Sequence, residues 1–179
     1  ARVLGIGGPD EPDPGGVGGS AGRVDPTTSA GWGGVPLAEV RDAVLALRRA
    51  KGMVLDPDDP DTRSAGSFFT NPILGGQAFA ALAQRATERG LAQGPPAFPE
   101  PEKRVKTSAA WLIENSGFTK GYPTNGNVGL STKHALAIIN RGGATTAELV
   151  ALARACRDRV RDAFGVDLIP EPAFVGHEF

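Results

Sequence analysis

Length, composition and charge narrow the classes of protein to which this chain can belong. Its 179 residues allow one domain with an extension, and a domain of about 150 residues buries about two-thirds of its surface without a disulfide or metal staple. The formal net charge of −1 provides no basic surplus for nucleic acid or an anionic membrane. Because the sequence has neither an apolar run of membrane-spanning length nor a signal-peptide pattern, it predicts a cytoplasmic protein.

The composition of residues 1–34 differs from that of the rest of the chain. Repeated Gly-Gly pairs and prolines leave few side chains to bury, which predicts a linker or disordered tail followed by a folded domain over residues 35–179. The opening Arg2–Gly8 does not qualify as a dinucleotide-binding turn. Asp10 stands where the third glycine belongs, and Pro12 prevents the helix that would receive the phosphates.

Three helices and one strand are expected between residues 36 and 140. Pro36 suits the first position of a helix whose apolar residues recur at helical spacing and which Gly52 ends. Further helices are predicted over residues 76–89 and 108–115, the latter burying Trp111 and Leu112. The apolar run 135–139 is typical of a buried strand.

The C-terminal part contains the clearest helix. Thr145 and Glu148 form a capping box, and Gly165 ends a helix whose predicted inward face consists of Leu149, Leu152, Cys156, Val160 and Phe164. Cys156 is interpreted as a buried, unreactive thiol. A last strand is expected over residues 173–175. Because helices and short strands alternate without a repeating unit, the sequence predicts an α+β fold, a small sheet with helices packed on one face.

Polar clusters give no sign of a metal site. The acidic loop Asp56–Asp61 lacks the glycine and terminal glutamate of a calcium loop, so a solvated surface is expected. His134 and His177 stand alone without metal-ligand spacing and are interpreted as core or surface histidines.

The segment Ser64–Pro72 combines a serine, two adjacent phenylalanines and an Asn-Pro pair directly after this loop. On pattern alone it is typical of a buried strand with small residues at its start, since Ala65 and Gly66 permit a tight turn. It also resembles the active-site strand of the UDP-N-acetylenolpyruvoylglucosamine reductases, flavoenzymes that make UDP-N-acetylmuramate for peptidoglycan. Five further blocks resemble that family in the same order, within its C-terminal, substrate-binding half: Arg48–Pro57, Lys106–Glu114, Phe118–Gly121, His134–Asn140 and Leu168–Pro172.

The resemblance implies two catalytic residues. Ser67 would protonate the enol that forms after hydride transfer, and a hydroxyl can do so if it relays a proton from a neighbour or from water. Glu171, held extended between two prolines, would organise the substrate's carboxyl and enol groups. The plain alternatives are a structural serine cap and a surface turn.

The resemblance also implies contacts to the UDP part of the substrate from Lys51, Asn71 and Lys120. Lysine suits a diphosphate as a point charge, although each lysine alone would ordinarily be a solvated surface cation. Phe98 stands where some family members have a tyrosine that reaches the nucleotide, so only stacking would survive there.

Nothing in the sequence resembles the family's flavin-binding N-terminal domain. The resemblance therefore implies that the complete enzyme uses FAD and NADPH to reduce UDP-N-acetylglucosamine enolpyruvate, while this chain alone holds neither cofactor and is inactive. Two alternatives remain open: a stand-alone UDP-sugar-binding module without redox activity, and a remnant that folds but binds nothing.

Overall fold

The computed structural model describes residues 35–179. Of the described residues, 35–50 belong to one unit and Lys51–Phe179 form a second, compact unit. The disordered tail expected over residues 1–34 lies outside the described residues, and the domain boundary expected after residue 34 stays a prediction.

The described residues form four helices, six short strands and one 3-10 turn. The helices are α1 (Leu37–Ala50), α2 (Gly76–Glu88), α3 (Ala109–Asn115) and α4 (Thr146–Phe164). The strands are β1 (Ser64–Ser67), β2 (Ile73–Gly75), β3 (Phe98–Glu100), β4 (Arg104–Lys106), β5 (Val128–Leu130) and β6 (Ala137–Asn140), and the 3-10 turn is Pro60–Thr62. The α+β class is confirmed, with the strands divided between two antiparallel sheets. No helix within residues 35–179 is long and apolar enough to cross a bilayer.

Helix α1 belongs to the first unit. It confirms the first predicted helix, with Glu39 in the first turn and Arg48 and Arg49 in the last, each of which suits the helix dipole. None of its side chains is buried, and its apolar Leu37 is 61% exposed.

The first sheet has the strand order β1-β6-β5 and lies in the core of the second unit. Ser64 pairs with Ile139 and Ser67 with Ala137, with an irregularity between the two pairs. Every residue of β5 and the first three of β6 are buried. The predicted buried strand is therefore confirmed, and it is the central strand of this sheet.

Helix α4 packs against β5 and β6 and contacts α2 and α3. Its capping box is formed as predicted, since Thr145 Oγ1 accepts the Glu148 N–H and the Glu148 carboxylate accepts the Thr145 N–H. Gly165 ends the helix with φ +70°. Of the predicted inward face, the three C-terminal members are buried and the first two are partly buried against the core.

The second sheet has the order β2-β4-β3 and is mostly exposed or half-buried. It lies beside α2. An ion pair between Lys106 Nζ and Glu100 Oε1, 3.1 Å apart, joins β4 to β3. The sequence did not predict these three strands, because three-residue exposed strands carry no periodic apolar pattern.

The C-terminal segment forms no strand over residues 173–175. The strand expected there was a wrong prediction. Pairing is limited to an isolated bridge between Phe69 and Pro170. Pro170 and Pro172 have no N–H to donate to a ladder, which explains why the pairing does not extend. The segment packs instead through its rings, with Phe179 against Phe68 and Phe69.

Candidate functional site

Ser67 lies at the end of β1, where the chain enters the core. Gly66 has φ +87°, a left-handed conformation that favours glycine, and it falls at the irregular part of the β1–β6 pairing. Phe68 then donates its N–H to Leu136 O at 2.8 Å and buries its ring. Ser67 is consequently a half-buried side chain on rigid backbone.

The Ser67 hydroxyl has a specific partner in His134, with 3.2 Å between Oγ and Nε2. His134 ends the turn Ser131–His134, which we call the histidine turn, and which leads into β6. Its interpretation as an ordinary core or surface histidine missed this contact. The sequence does carry a partial signal, because His134 directly precedes the predicted strand 135–139, and Ala137 of that strand pairs with Ser67. Antiparallel pairing in that register brings the two residues close together.

Backbone pairing brings Glu171 close to the same point. Its N–H donates to Phe68 O at 2.9 Å, one residue beyond Ser67. Its carboxylate is exposed and has no hydrogen bond or ion pair within residues 35–179. The structure therefore places the Glu171 backbone beside the end of β1 and leaves its side chain in solvent.

Each of the two lysines directly precedes a glycine that lies near the histidine turn or near Asp61, which contacts that turn. Lys120, exposed and 3.7 Å from Glu114 Oε1, precedes Gly121, whose N–H donates to Ser131 O at 3.2 Å. Lys51, half-buried, precedes Gly52, which packs against the backbone of Asp61. Asp61 in turn accepts hydrogen bonds from Thr132 in the histidine turn.

Asn71 has a structural role that the sequence did not predict. Its Oδ1 accepts the Ala109 N–H at 2.9 Å and so anchors the start of α3. The Asn71 amide NH₂ makes no hydrogen bond within residues 35–179, so its donors are available to another partner.

The acidic loop before β1 is only partly a solvated surface. Asp61 is 3% exposed, so the expectation was wrong for this residue, while Asp56 and Asp58 are exposed as predicted. Asp59 forms an ion pair with Lys133, and this hydrogen bond lowers the pKa of the Asp59 carboxyl and raises that of the Lys133 ammonium group.

Cys156 is buried in α4, as expected. Burial raises the pKa of its thiol to about 12, because the thiolate would be desolvated. The thiol therefore stays protonated and unreactive at neutral pH.

A cleft of about 700 Å³ opens beside β1 and β6, separate from the Ser67–His134 pair. Its lining is largely apolar and includes Ala65, Phe68, Ile138, Leu149 and Phe174. The start of α4 reaches it through Thr146, and the adjacent capping box satisfies the N–H groups of Thr145 and Glu148. Hydrogen bonds from Thr145 lower the pKa of the Glu148 carboxyl at this helix end. Residues 35–179 hold no cluster of three or more His, Cys, Asp or Glu side chains suited to a metal ion.

Comparison with known proteins identifies relatives for most of the chain. Residues 58–175 match the family model of UDP-N-acetylenolpyruvoylglucosamine reductase, C-terminal domain. A protein of that name from Thermobifida fusca is 65% identical over 143 residues, covering 79% of this chain and 40% of the relative. Its counterpart from Streptomyces coelicolor is 61% identical over 143 residues, covering 79% and 37%, respectively. A relative from a Mycobacterium species is 52% identical over 157 residues, covering 87% and 40%.

The chain thus spans about two fifths of the length of these curated relatives. The family model covers more than half of the chain, in a region that includes Ser67, His134 and Glu171. We conclude that the chain belongs to the UDP-N-acetylenolpyruvoylglucosamine reductase family and corresponds to its C-terminal domain.

Proposed function

We propose that this chain is the substrate-binding part of a longer enzyme, a UDP-N-acetylmuramate dehydrogenase. That enzyme would reduce the enolpyruvyl group of UDP-N-acetylglucosamine enolpyruvate with NADPH through FAD, in the synthesis of peptidoglycan precursors. Family membership supports the reaction, and the 3.2 Å contact between Ser67 and His134 is the structural observation that carries it. Residues 35–179 would form the substrate domain, and residues 1–34 its link to the preceding part.

In this proposal Ser67 protonates the enol carbon. A serine hydroxyl is a poor acid because it leaves an alkoxide, so its proton must be replaced as it departs. A protonated His134 would give its Nε2 proton to Ser67 Oγ while Ser67 gives its own proton to carbon, leaving a neutral imidazole and an intact hydroxyl. Histidine suits this relay because it changes protonation state near neutral pH.

Glu171 would complete the site beside the end of β1. Its backbone is fixed by the hydrogen bond to Phe68 O, and the flanking prolines keep the segment extended. A carboxylate that is exposed in the chain alone is available to organise the substrate's carboxyl and enol groups.

We assign the UDP part of the substrate to Lys51, Lys120 and Asn71. Lys120 precedes Gly121, which donates to Ser131 in the histidine turn, and Lys51 precedes Gly52, which packs on Asp61; this supports a shared role around Ser67. A diphosphate carries about two negative charges that suit lysine. The Asn71 NH₂ would donate to an acceptor oxygen, while its Oδ1 accepts the Ala109 N–H of α3.

FAD and NADPH are assigned to a part of the enzyme outside this chain, because the chain corresponds to the C-terminal domain of the family. The hydride half of the reaction would belong to that part. We place the enzyme in the cytoplasm, since a substrate with a charged diphosphate does not cross a bilayer unaided.

The decisive test uses the longer protein that carries this chain. We expect substrate-dependent oxidation of NADPH, and we expect Ser67→Ala to lower kcat by about 10²- to 10⁴-fold through loss of the acid. Ser64→Ala, on the same strand, is the matched control and should retain activity. Equal activity of Ser67→Ala and the wild type would contradict the proposed role.

A second test uses the chain alone, incubated with FAD and desalted. We expect a colourless protein, whereas a retained flavin band near about 450 nm would place the cofactor in this chain. Binding of the UDP-sugar by the chain, combined with no NADPH oxidation by the longer protein, would favour the binding module without redox activity.

A further inference from the structure

A buried carboxylate outside the proposed proton path holds the turn that carries His134. Asp61 is 3% exposed, and its Oδ2 accepts two hydrogen bonds from one residue: Thr132 N–H at 3.0 Å and Thr132 Oγ1–H at 2.5 Å. Hydrogen bonds to a carboxylate are stronger than those between neutral groups, and this carboxyl is shielded from water. Asp61 therefore fixes both the backbone and the side chain of Thr132.

The histidine turn transmits this restraint to His134. Within the turn, Ser131 Oγ accepts the N–H groups of Lys133 at 3.0 Å and His134 at 3.2 Å. The ion pair between Lys133 and Asp59 adds a second attachment to the same loop. Because the turn is closed by its own hydrogen bonds, a displacement of Thr132 also displaces His134.

Contacts of its own backbone hold Asp61 in place just before the strand that ends at Ser67. Its N–H donates to Asp59 Oδ1 at 3.0 Å. Its backbone packs on Gly52, where an added Cβ would lie 3.1 Å from Asp61 O. Three residues later the chain enters β1, which ends at Ser67. Asp61 thus connects to Ser67 through the backbone and to His134 through its carboxylate.

We infer that Asp61 is a positioning residue that sets the distance between Ser67 Oγ and His134 Nε2 through its hydrogen bonds to Thr132. The inference rests on the proposed function for the chemical value of that distance, but the restraint itself can be measured without substrate. This role differs from ordinary loop stabilisation in one respect. The effect of the Asp61 carboxylate on the reaction should depend on the presence of the His134 side chain.

The first experiment measures the restraint by NMR on the 179-residue chain. We expect Asp61→Ala and Thr132→Val to shift the ring nitrogens of His134 and the amide of Ser67. Thr132→Ser, which keeps the hydroxyl, and Asp58→Asn, an exposed aspartate of the same loop, should leave these signals in place. Unchanged His134 signals in both Asp61→Ala and Thr132→Val would overturn the inference.

The second experiment measures kcat and KM in the longer protein. We expect Asp61→Ala to lower kcat about 10- to 100-fold, the effect of misplacing a reacting group by about 1 Å. KM should stay within about twofold, and in a His134→Ala background the same substitution should cost less than about twofold because the two changes share one pathway. Equal losses in both backgrounds would mean that Asp61 acts only on stability, which would overturn the inference.

The two experiments distinguish the inference from the proposed function. If the wild-type longer protein shows no NADPH oxidation, the proposed function fails, and the NMR comparison still decides whether Asp61 sets the position of His134. If Asp61→Ala does not fold, the comparison of Thr132→Val with Thr132→Ser decides. We expect the valine variant to lose the wild-type His134 signals and kcat, and the serine variant to retain them. Equal behaviour of that pair would count against the inference.

Discussion

The two sheets of the second unit are similar in size but differ in what holds them. Each has three short antiparallel strands. The strands β5 and β6 of the first sheet are covered by α4 and the core, whereas the second sheet is held in part by surface charges such as Lys106 and Glu100. Ser67 and His134 both attach to the first sheet. Burial of the first sheet therefore fixes the position of the proposed reacting groups. Substitutions in the second sheet should affect the stability of the protein less.

The largest expected effect tests whether α4 stays packed on the first sheet and keeps its buried residues away from solvent. Cys156 lies on α4, and its thiol pKa of about 12 compares with an ordinary value of 9.0. Alkylation at pH 8 should be slower in the folded chain than in the urea-unfolded chain by at least about 10³-fold, because the thiolate is the reactive form. Comparable alkylation rates in the folded and unfolded chains would mean that α4 readily detaches from the sheet.

The same thiol gives a pH dependence whose sign follows from linkage. The unfolded chain loses this proton near pH 9, and the folded chain keeps it up to about 12. The stability that Cys156 contributes is fully present below pH 9 and is lost as the pH rises through that interval. Cys156→Ala should remove this part of the alkaline loss, as measured by urea unfolding at pH 8 and pH 10.

A matched pair of isoleucines compares the sheets directly. Ile139 in β6 is 1% exposed and Ile73 in β2 is 48% exposed. Ile139→Ala should lower the free energy of unfolding by about 3 kcal/mol through lost burial and a cavity, and Ile73→Ala should change it by less than about 0.5 kcal/mol. Urea denaturation of both variants measures the difference, and similar values would contradict the contrast between the sheets.

Gly52 tests the support beneath the loop that leads into the first sheet. It has φ +68°, and a Cβ would lie 3.1 Å from Asp61 O. Gly52→Ala should cost about 2 kcal/mol of unfolding free energy from backbone strain and crowding together. Gly90→Ala is the control with φ +71° and open space around its Cβ, and it should cost about 1 kcal/mol. If both variants lose the same amount, contact with Asp61 contributes nothing.

The smallest effect is expected in the second sheet. The ion pair between Lys106 and Glu100 is partly exposed, with side chains 38% and 24% exposed. Lys106→Met should lower stability by no more than about 0.5 kcal/mol, and the loss should shrink in high salt, since exposed pairs are weak and screened. A loss above about 2 kcal/mol would show that this sheet also depends on a fixed contact.

The sequence predicted the elements that carry local signals. The capping box at Thr145 and Glu148 and the glycine at position 165 identified α4 at both ends, because caps are encoded within a few residues. The strand expected over residues 173–175 does not form, because apolar side chains alone do not provide backbone N–H groups that pair with a neighbouring strand. The strands β2, β3 and β4 were missed because three exposed residues produce no pattern.

The candidate site was predictable only in part, for a different reason. Resemblance selected Ser67 and Glu171, whose backbones lie near one another in the structure, and their roles stay predictions. The partner of Ser67 and the burial of Asp61 both depend on the turn 131–134, more than 60 residues away in sequence. Contacts at that separation are set by strand register and packing, which no local pattern in one sequence specifies.

The hydrogen bond from Ala109 to Asn71 has a consequence for inhibitor design. A small molecule that accepts a hydrogen bond from the Asn71 NH₂ would contact a residue that the fold also requires. Replacing Asn71 to escape such a compound would leave the first N–H of α3 without its acceptor, at a cost of about 1–3 kcal/mol. Resistance through this position would therefore be coupled to a less stable protein, which makes Asn71 a more durable point of attack than an exposed cation such as Lys120.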